Sequence, residues 1–196
     1  MTQGRSGRER VGYRVAFVGS HSTGKTTLAM HVESVSAGTR VTVLPEVARI
    51  VIARGYPLGK DASADAYVNY VRDQLEAERV AALGSFELLV SDRTVLDCVG
   101  YARVNRRLPR PYIQDYFISM LEEVALREAE FYDLHVYFPV EWAMEADGVR
   151  PEDEQYREEV GGAIMAFLAE SRIPSLSVSG TTDARMRSLR AHGVPV

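Results

Sequence analysis

Gly19-Ser20-His21-Ser22-Thr23-Gly24-Lys25-Thr26 is the stretch on which the reading of this sequence turns. Before it runs Tyr13-Arg14-Val15-Ala16-Phe17-Val18, short, apolar and β-rich, as a buried parallel strand should be. After it, Leu28, Ala29, Val32 and Val35 recur at helical spacing between Lys25 and Ser36. The glycines stand where backbone must approach an anion closely, because a Cβ there would obstruct it. The loop amides and the helix N-terminus then form a concavity whose dipole favours negative charge. Lys25 is placed to reach the β- and γ-phosphates of a nucleotide, and the Thr26 hydroxyl to ligate Mg²⁺. The segment therefore reads as a P-loop. Gly19, Ser20, His21, Ser22, Thr23, Gly24, Lys25, Thr26 and Thr27 are its candidate ATP-binding residues, with His21 contributing only its backbone.

Working outward, apolar runs alternate with helical patterns. Strands are predicted at Val41–Leu44, Phe86–Val90, Leu134–Phe138 and Ser175–Val178. Helices are predicted from Glu46 to about Arg54, over Ala62–Leu83, Val95–Val104, Pro111–Glu130 and Val160–Glu170, and from Asp183 to Ala191. Such alternation implies βαβ units. The expected fold is α/β: a P-loop NTPase fold with a five-stranded, mostly parallel sheet flanked by helices, in a nucleoside/nucleotide-kinase-like form with a lid segment. Residues 1–12 read as a flexible arm and 13–196 as a single domain, with the charged stretch from about 141 to 159 as the lid. In such sheets ligands bind beyond the carboxyl ends of the strands. Gly19 onward, Glu46, Asp92 and Glu141 onward all follow strand ends.

Composition narrows the setting. Of 196 residues, 46% are hydrophobic and 26% charged, with a net charge of −4, the profile of a globular domain with a sizeable core. That charge gives no sign of a chain built to coat nucleic acid, so a nucleic-acid partner is not expected, although Arg103, Arg106, Arg107 and Arg110 form a local basic strip. Cys98 is the single cysteine, which excludes an intrachain disulfide and fits a reducing, cytoplasmic setting. The N-terminus is polar and Arg-rich, unlike a signal peptide, and no window approaches the roughly 20 apolar residues of a membrane span. Only two of the 23 basic residues are lysines, Lys25 and Lys60.

Asp92, behind Leu88-Leu89-Val90, is the candidate second metal residue, holding Mg²⁺ directly or through water; the alternative is a cap for the following helix. The sequence contains no Asn-Lys-x-Asp segment of the kind that reads guanine, and it is short for a motor with a helical lid and sensor elements. Small-molecule kinases and ATPases remain.

Phe17-Val18-Gly19, Ser22 through Ala29 and Pro45-Glu46-Val47-Ala48-Arg49, taken together, resemble the nicotinamide riboside kinase domain of the bacterial NAD-regulator family and a related family of AAA-type ATPase/kinase domains. The likeness extends from about Tyr13 to Leu189 and takes in Gln74, Trp142 and Asp147-Gly148-Val149-Arg150. One departure is Ser91-Asp92-Arg93-Thr94, where those riboside kinases carry Asp-Thr-Asp; an Asp-Arg pair there resembles thymidylate and deoxynucleoside kinases, whose Arg helps bind substrate.

The resemblance implies ATP- and Mg²⁺-dependent phosphoryl transfer to a small hydroxyl acceptor, nucleoside- or nucleotide-like. Lys25, Asp92, Glu46 and Arg150 would be the catalytic residues, with Arg157 in reserve for Arg150. Glu46, Arg49, Gln74 and Arg93 would bind the acceptor, and Arg185 would lie near the adenine. Tyr67 and Tyr70, at i and i+3 on one helix, read as a stacking wall or as core. The expected partners are ATP and a small-molecule acceptor, with no membrane; a homodimer stays open. A regulatory ATPase acting on a protein partner, and a nucleic-acid end-processing kinase, are the alternatives.

Overall fold

In the computed structural model, residues 12–36, 38–142 and 153–196 are described. Their centre is a five-stranded sheet in the order β2-β3-β1-β4-β5. The strands are β1 (Tyr13–Val18), β2 (Val41–Leu44), β3 (Leu88–Asp92), β4 (Leu134–Tyr137) and β5 (Ser175–Ser177). Every pairing is parallel. The chain leaves β1 for β2 and β3 on one side and crosses to β4 and β5 on the other. The carboxyl end of β1 is therefore the switch point at which a parallel sheet opens a crevice. The P-loop occupies that position.

The helices are α1 (Lys25–Val35), α2 (Ala48–Ala53), α3 (Ala64–Ala82), α4 (Val95–Asn105), α5 (Asp115–Ala129), α6 (Glu154–Glu170) and α7 (Thr182–Ala191), with a 3-10 turn at Gly59–Asp61. Side chains of a strand alternate between its two faces, and β1 shows what that does here. Val15 and Phe17 pack with Leu28, Val32, Met186 and Leu189 of α1 and α7. Ala16 and Val18 face the other layer, built largely from α3 to α6. Three layers result, as both faces of a parallel sheet must be covered.

The sequence-based boundaries shift where side chains settle them. β3 runs to Asp92, so that residue ends a strand and does not cap a helix. Thr94 is the cap: its hydroxyl accepts from the Leu96 amide, while Asp97 accepts from the Thr94 amide in a capping box. The helix after β2 begins at Ala48, which leaves Glu46 just ahead of it. α6 starts at Glu154, earlier than the apolar pattern alone suggests, because Asp153 caps it by accepting from the Tyr156 amide. The end of the stretch read as a lid is thus helical, while residues 143–152 lie outside the described residues, as do 1–11 of the N-terminal arm. Among the described residues no helix is long and apolar enough to cross a membrane.

α4 and α6 carry much of the site and touch at Gly100. A Cβ there would strike the Ile164 side chain and come within 3.2 Å of the Ile164 nitrogen. Overpacking of this kind costs about 1–3 kcal/mol. Gly100→Ala should lower stability by that amount in urea unfolding, and unchanged stability would mean that the two helices pack less closely than described.

Candidate functional site

The loop after β1 is shaped by its glycines. Gly19 has φ 145°, and a Cβ on it would lie 2.7 Å from the Phe138 carbonyl oxygen. Gly24 adopts φ 84° at the head of α1, and no side chain caps that helix, so its first amides have no internal acceptor. Cationic side chains hold the loop carbonyls, those of Ser20, Ser22 and Thr23 among them. Lys25 Nζ donates to the Ser20 carbonyl and, at 3.0 Å, to Thr23 Oγ1. Arg157 Nη1 donates to the Ser22 carbonyl at 3.3 Å, and Arg185 Nη1 to the Thr23 carbonyl at 2.8 Å. The result is a cavity of about 470 Å³, open mouth included, lined by residues 22–27 with Glu46, Arg49 and Arg93.

Gly19, Ser20 and His21 do not line that cavity, contrary to their expected place among the nucleotide contacts. The Gly19 amide donates to Asp97 Oδ1 at 3.0 Å and the His21 amide to Tyr101 Oη at 3.1 Å. The Gly19 and His21 amides are thus already paired within the protein.

Asp92 and Thr26 come together as the sequence suggests. β1–β3 pairing sets Asp92 beside Phe17, at the foot of the loop. Thr26 Oγ1 donates to Asp92 Oδ2 at 2.5 Å, and Asp92 Oδ1 is buried without a hydrogen-bond partner among the described residues. An orphaned carboxylate oxygen beside a hydroxyl suits a hard cation that takes its remaining ligands from phosphate and water, as Mg²⁺ does. Among the described residues no cluster of three or more acidic, His or Cys side chains offers a fuller protein cage.

Between this cradle and the rest of the site stands Arg93. It has φ 84°, a left-handed conformation that costs a bulky residue about 1–3 kcal/mol. Its Nε donates to Glu46 Oε1 at 2.7 Å and its Nη1 to the Gly19 carbonyl at 3.2 Å, with Asp97 Oδ1 3.5 Å away. Arg49 Nε reaches Glu46 Oε2 at 3.3 Å from a largely exposed position. Burial, and after it the Arg93 guanidinium, pushes the Lys25 ammonium down to about 7, with Asp97, Asp92 and Glu46 opposing.

On the far side of Arg93 and Glu46 opens a second cavity, about 780 Å³ with its mouth. Tyr67, Tyr70, Tyr101, Tyr156 and His21 supply ring surface to it. His21 Nδ1 lies 3.1 Å from Tyr101 Oη, and the Tyr101 and Tyr156 rings are 6.1 Å apart. Lys60 and Asp153, an ion pair, stand at this cavity, with the ammonium 5.1 Å from the Tyr156 ring. The tyrosine pair of α3 therefore serves both as core and as cavity wall.

Gln74, expected at the acceptor, lines neither cavity; it is 1% exposed, and its amide donates to Glu78 Oε1, Ser91 Oγ and the Arg93 carbonyl. Arg150 and the Asp147–Arg150 segment lie outside the described residues. Arg157, its reserve, is fully buried on the P-loop, paired with Glu154 at 2.9 Å. Arg185 pairs with Glu141 at 2.6 Å and lies 4.8 Å from the Trp142 ring. In the basic strip, Arg103 pairs with Glu122 and Glu170, and Arg106 with Asp115.

Sequence reading missed Tyr101, Tyr156, Asp97, Asp153, Lys60 and the His21 imidazole as cavity residues. The one available signal was Lys60, the single lysine besides Lys25.

The family model described as "AAA domain" matches residues 14–185. The chain belongs to the AAA domain family. None of the curated proteins matches it. Among solved structures it is similar to NadR protein in complex with NAD and AMP-PNP, at 19% identity and a TM-score of 0.70, and to NadR protein in complex with NR, at 20% and 0.70. These alignments take in 94% of this chain but 50% and 52% of the NadR chains, so the domain spans about half their length. Deoxyadenosine kinase from M. mycoides aligns at 14% identity and a TM-score of 0.63, covering 91% of this chain and 97% of that one. Thymidylate kinase from Candida albicans aligns at 12% and 0.63, with 94% of each chain covered. At these identities the likeness shows the fold alone, a P-loop fold of the kind found in those kinase structures.

Because the free Lys25 ammonium titrates near 7 and a polyphosphate favours its charged form, MgATP binding should take up about one proton per site at pH 8. Below pH 6, where Lys25 is already charged, that uptake should vanish. Calorimetry at pH 8 in buffers of different ionisation enthalpy measures it; binding with no uptake would mean that Lys25 is charged beforehand.

Proposed function

We propose that this chain transfers the γ-phosphoryl group of ATP, with Mg²⁺, to a hydroxyl of a small nucleoside-like acceptor. The observation that carries the reading is the meeting of the two cavities: Glu46 and Arg93 line both the phosphate cradle and the ring-walled cavity beyond it. An acceptor hydroxyl at Glu46 would face the γ-phosphate, and a flat base would find the tyrosine rings. The neighbouring kinase structures support the reading through the fold.

Phosphoryl transfer asks a protein chiefly for positioning and charge compensation. Lys25 lies against the triphosphate and offsets its charge. Thr26 and Asp92 would hold Mg²⁺, which when bound neutralises the β- and γ-oxygens. Arg49, mostly exposed beside Glu46 on the cradle side, and Arg157, on the Ser22 carbonyl, are the further cations near the transferred group. Arg185, beside Trp142, would border the adenine. Glu46 orients the acceptor hydroxyl and takes its proton as the new P–O bond forms and the bond from Pγ to the β,γ-bridging oxygen breaks, releasing ADP. Arg93 holds the Glu46 carboxylate in place and presents its remaining N–H groups to the acceptor.

The test is ADP release by purified protein with MgATP, with and without nucleosides, nucleoside monophosphates and nicotinamide riboside. Acceptor-dependent turnover should appear with one class and fall by about 10²–10³ in Lys25→Ala. Slow hydrolysis that no acceptor accelerates would overturn the kinase reading and leave a regulatory ATPase.

A further inference from the structure

Arg93 can face Glu46 only because its own peptide is turned into the left-handed region, and that peptide is held from behind. Its amide donates to the Phe17 carbonyl at 3.0 Å. Its carbonyl accepts twice, from Ser91 Oγ at 2.7 Å and from Gln74 Nε2 at 3.2 Å. The same Gln74 nitrogen donates to Ser91 Oγ at 3.1 Å and to Glu78 Oε1 at 2.8 Å, and Tyr132 Oη donates to that Glu78 oxygen at 2.7 Å. Gln74, Glu78 and Tyr132 are all buried, and none lines either cavity.

This polar cluster is expensive. Gln74 Oε1 and Glu78 Oε2 are buried without hydrogen-bond partners among the described residues. Burial pushes the Glu78 carboxyl up to about 7, against the bonds from Gln74 and Tyr132. Partly satisfied buried polar groups are commonly no more stable than apolar side chains of the same volume. The feature they secure is the Arg93 peptide.

We infer that Gln74, fixed by Glu78 and Tyr132, is a positioning residue that holds the Arg93 backbone so that its guanidinium meets Glu46 and the Gly19 carbonyl. Its effect on turnover rests on the kinase reading; its effect on Arg93 does not. Gln74→Met fills the same space without donating, whereas Glu78→Gln keeps an oxygen that can accept from Gln74 and Tyr132.

The experiment follows the Arg93 Nε–H resonance by ¹H–¹⁵N NMR, assigned by its loss in Arg93→Lys, together with the dissociation constant for AMP-PNP and the acceptor kinetics. In Gln74→Met, hydrogen exchange at Arg93 Nε–H should quicken at least tenfold and acceptor kcat/KM should fall at least tenfold. AMP-PNP affinity and the melting temperature should stay near wild type, and Glu78→Gln should keep acceptor kcat/KM within about threefold. Unchanged Nε–H exchange in Gln74→Met would overturn the inference, as would altered exchange without any change in acceptor kinetics, or parallel losses of stability, AMP-PNP affinity and turnover. Should the wild type phosphorylate no acceptor, the kinase reading fails while the exchange rate still decides whether Gln74 positions Arg93.

Discussion

The Arg93 guanidinium and the Glu46 carboxylate, 2.7 Å apart and both nearly inaccessible to solvent, divide one crevice into two compartments. Burying two charges carries a desolvation cost that a single contact rarely offsets. The surroundings share it. Asp97 adds a second carboxylate near Arg93, the Gly19 carbonyl accepts from the guanidinium, and Arg49 approaches Glu46 from the solvent side. Removing Arg93 would strand the Glu46 charge and disturb the loop as well, since its guanidinium also donates to the Gly19 carbonyl.

Around that pair the P-loop is braced by side chains from distant parts of the chain. Arg157 of α6 and Arg185 of α7 each hold one of its carbonyls, and Tyr101 of α4 holds the His21 amide. Such bracing fixes amide dipoles before a ligand arrives, which is how a site stabilises developing charge without reorganising. It also ties nucleotide geometry to the acceptor side, because Tyr101 and Tyr156 wall the second cavity while their helices carry Asp97 and Arg157.

The sequence made some of this legible and hid the rest for physical reasons. A P-loop is contiguous, so strand, glycines, Lys25 and Thr26 are read together, and Asp92 follows from an apolar run ending in an acid. The cavity walls are not contiguous. Tyr101 and Tyr156 meet only because α4 and α6 pack closely at Gly100, and nothing local to either residue announces it. The resemblance names Gln74 without saying whether its helix face meets a ligand or, as here, the back of β3. The start of α6 was obscured by charge: Glu154, Glu158 and Glu159 fall in the charged stretch read as a lid, whereas Asp153 caps the helix and Arg157 turns inward.

If Glu46 handles the acceptor and the P-loop handles the nucleotide, the two functions should separate in one variant. Glu46→Gln keeps the shape of the side chain and removes the base, so the measurement is acceptor phosphorylation beside MgATP affinity in that protein. Acceptor-dependent turnover should fall by about two orders of magnitude or more while MgATP affinity changes by only a few-fold. Undiminished turnover, or an equal collapse of turnover and nucleotide affinity, would contradict the assignment of Glu46 and Arg93 as the junction of the two compartments.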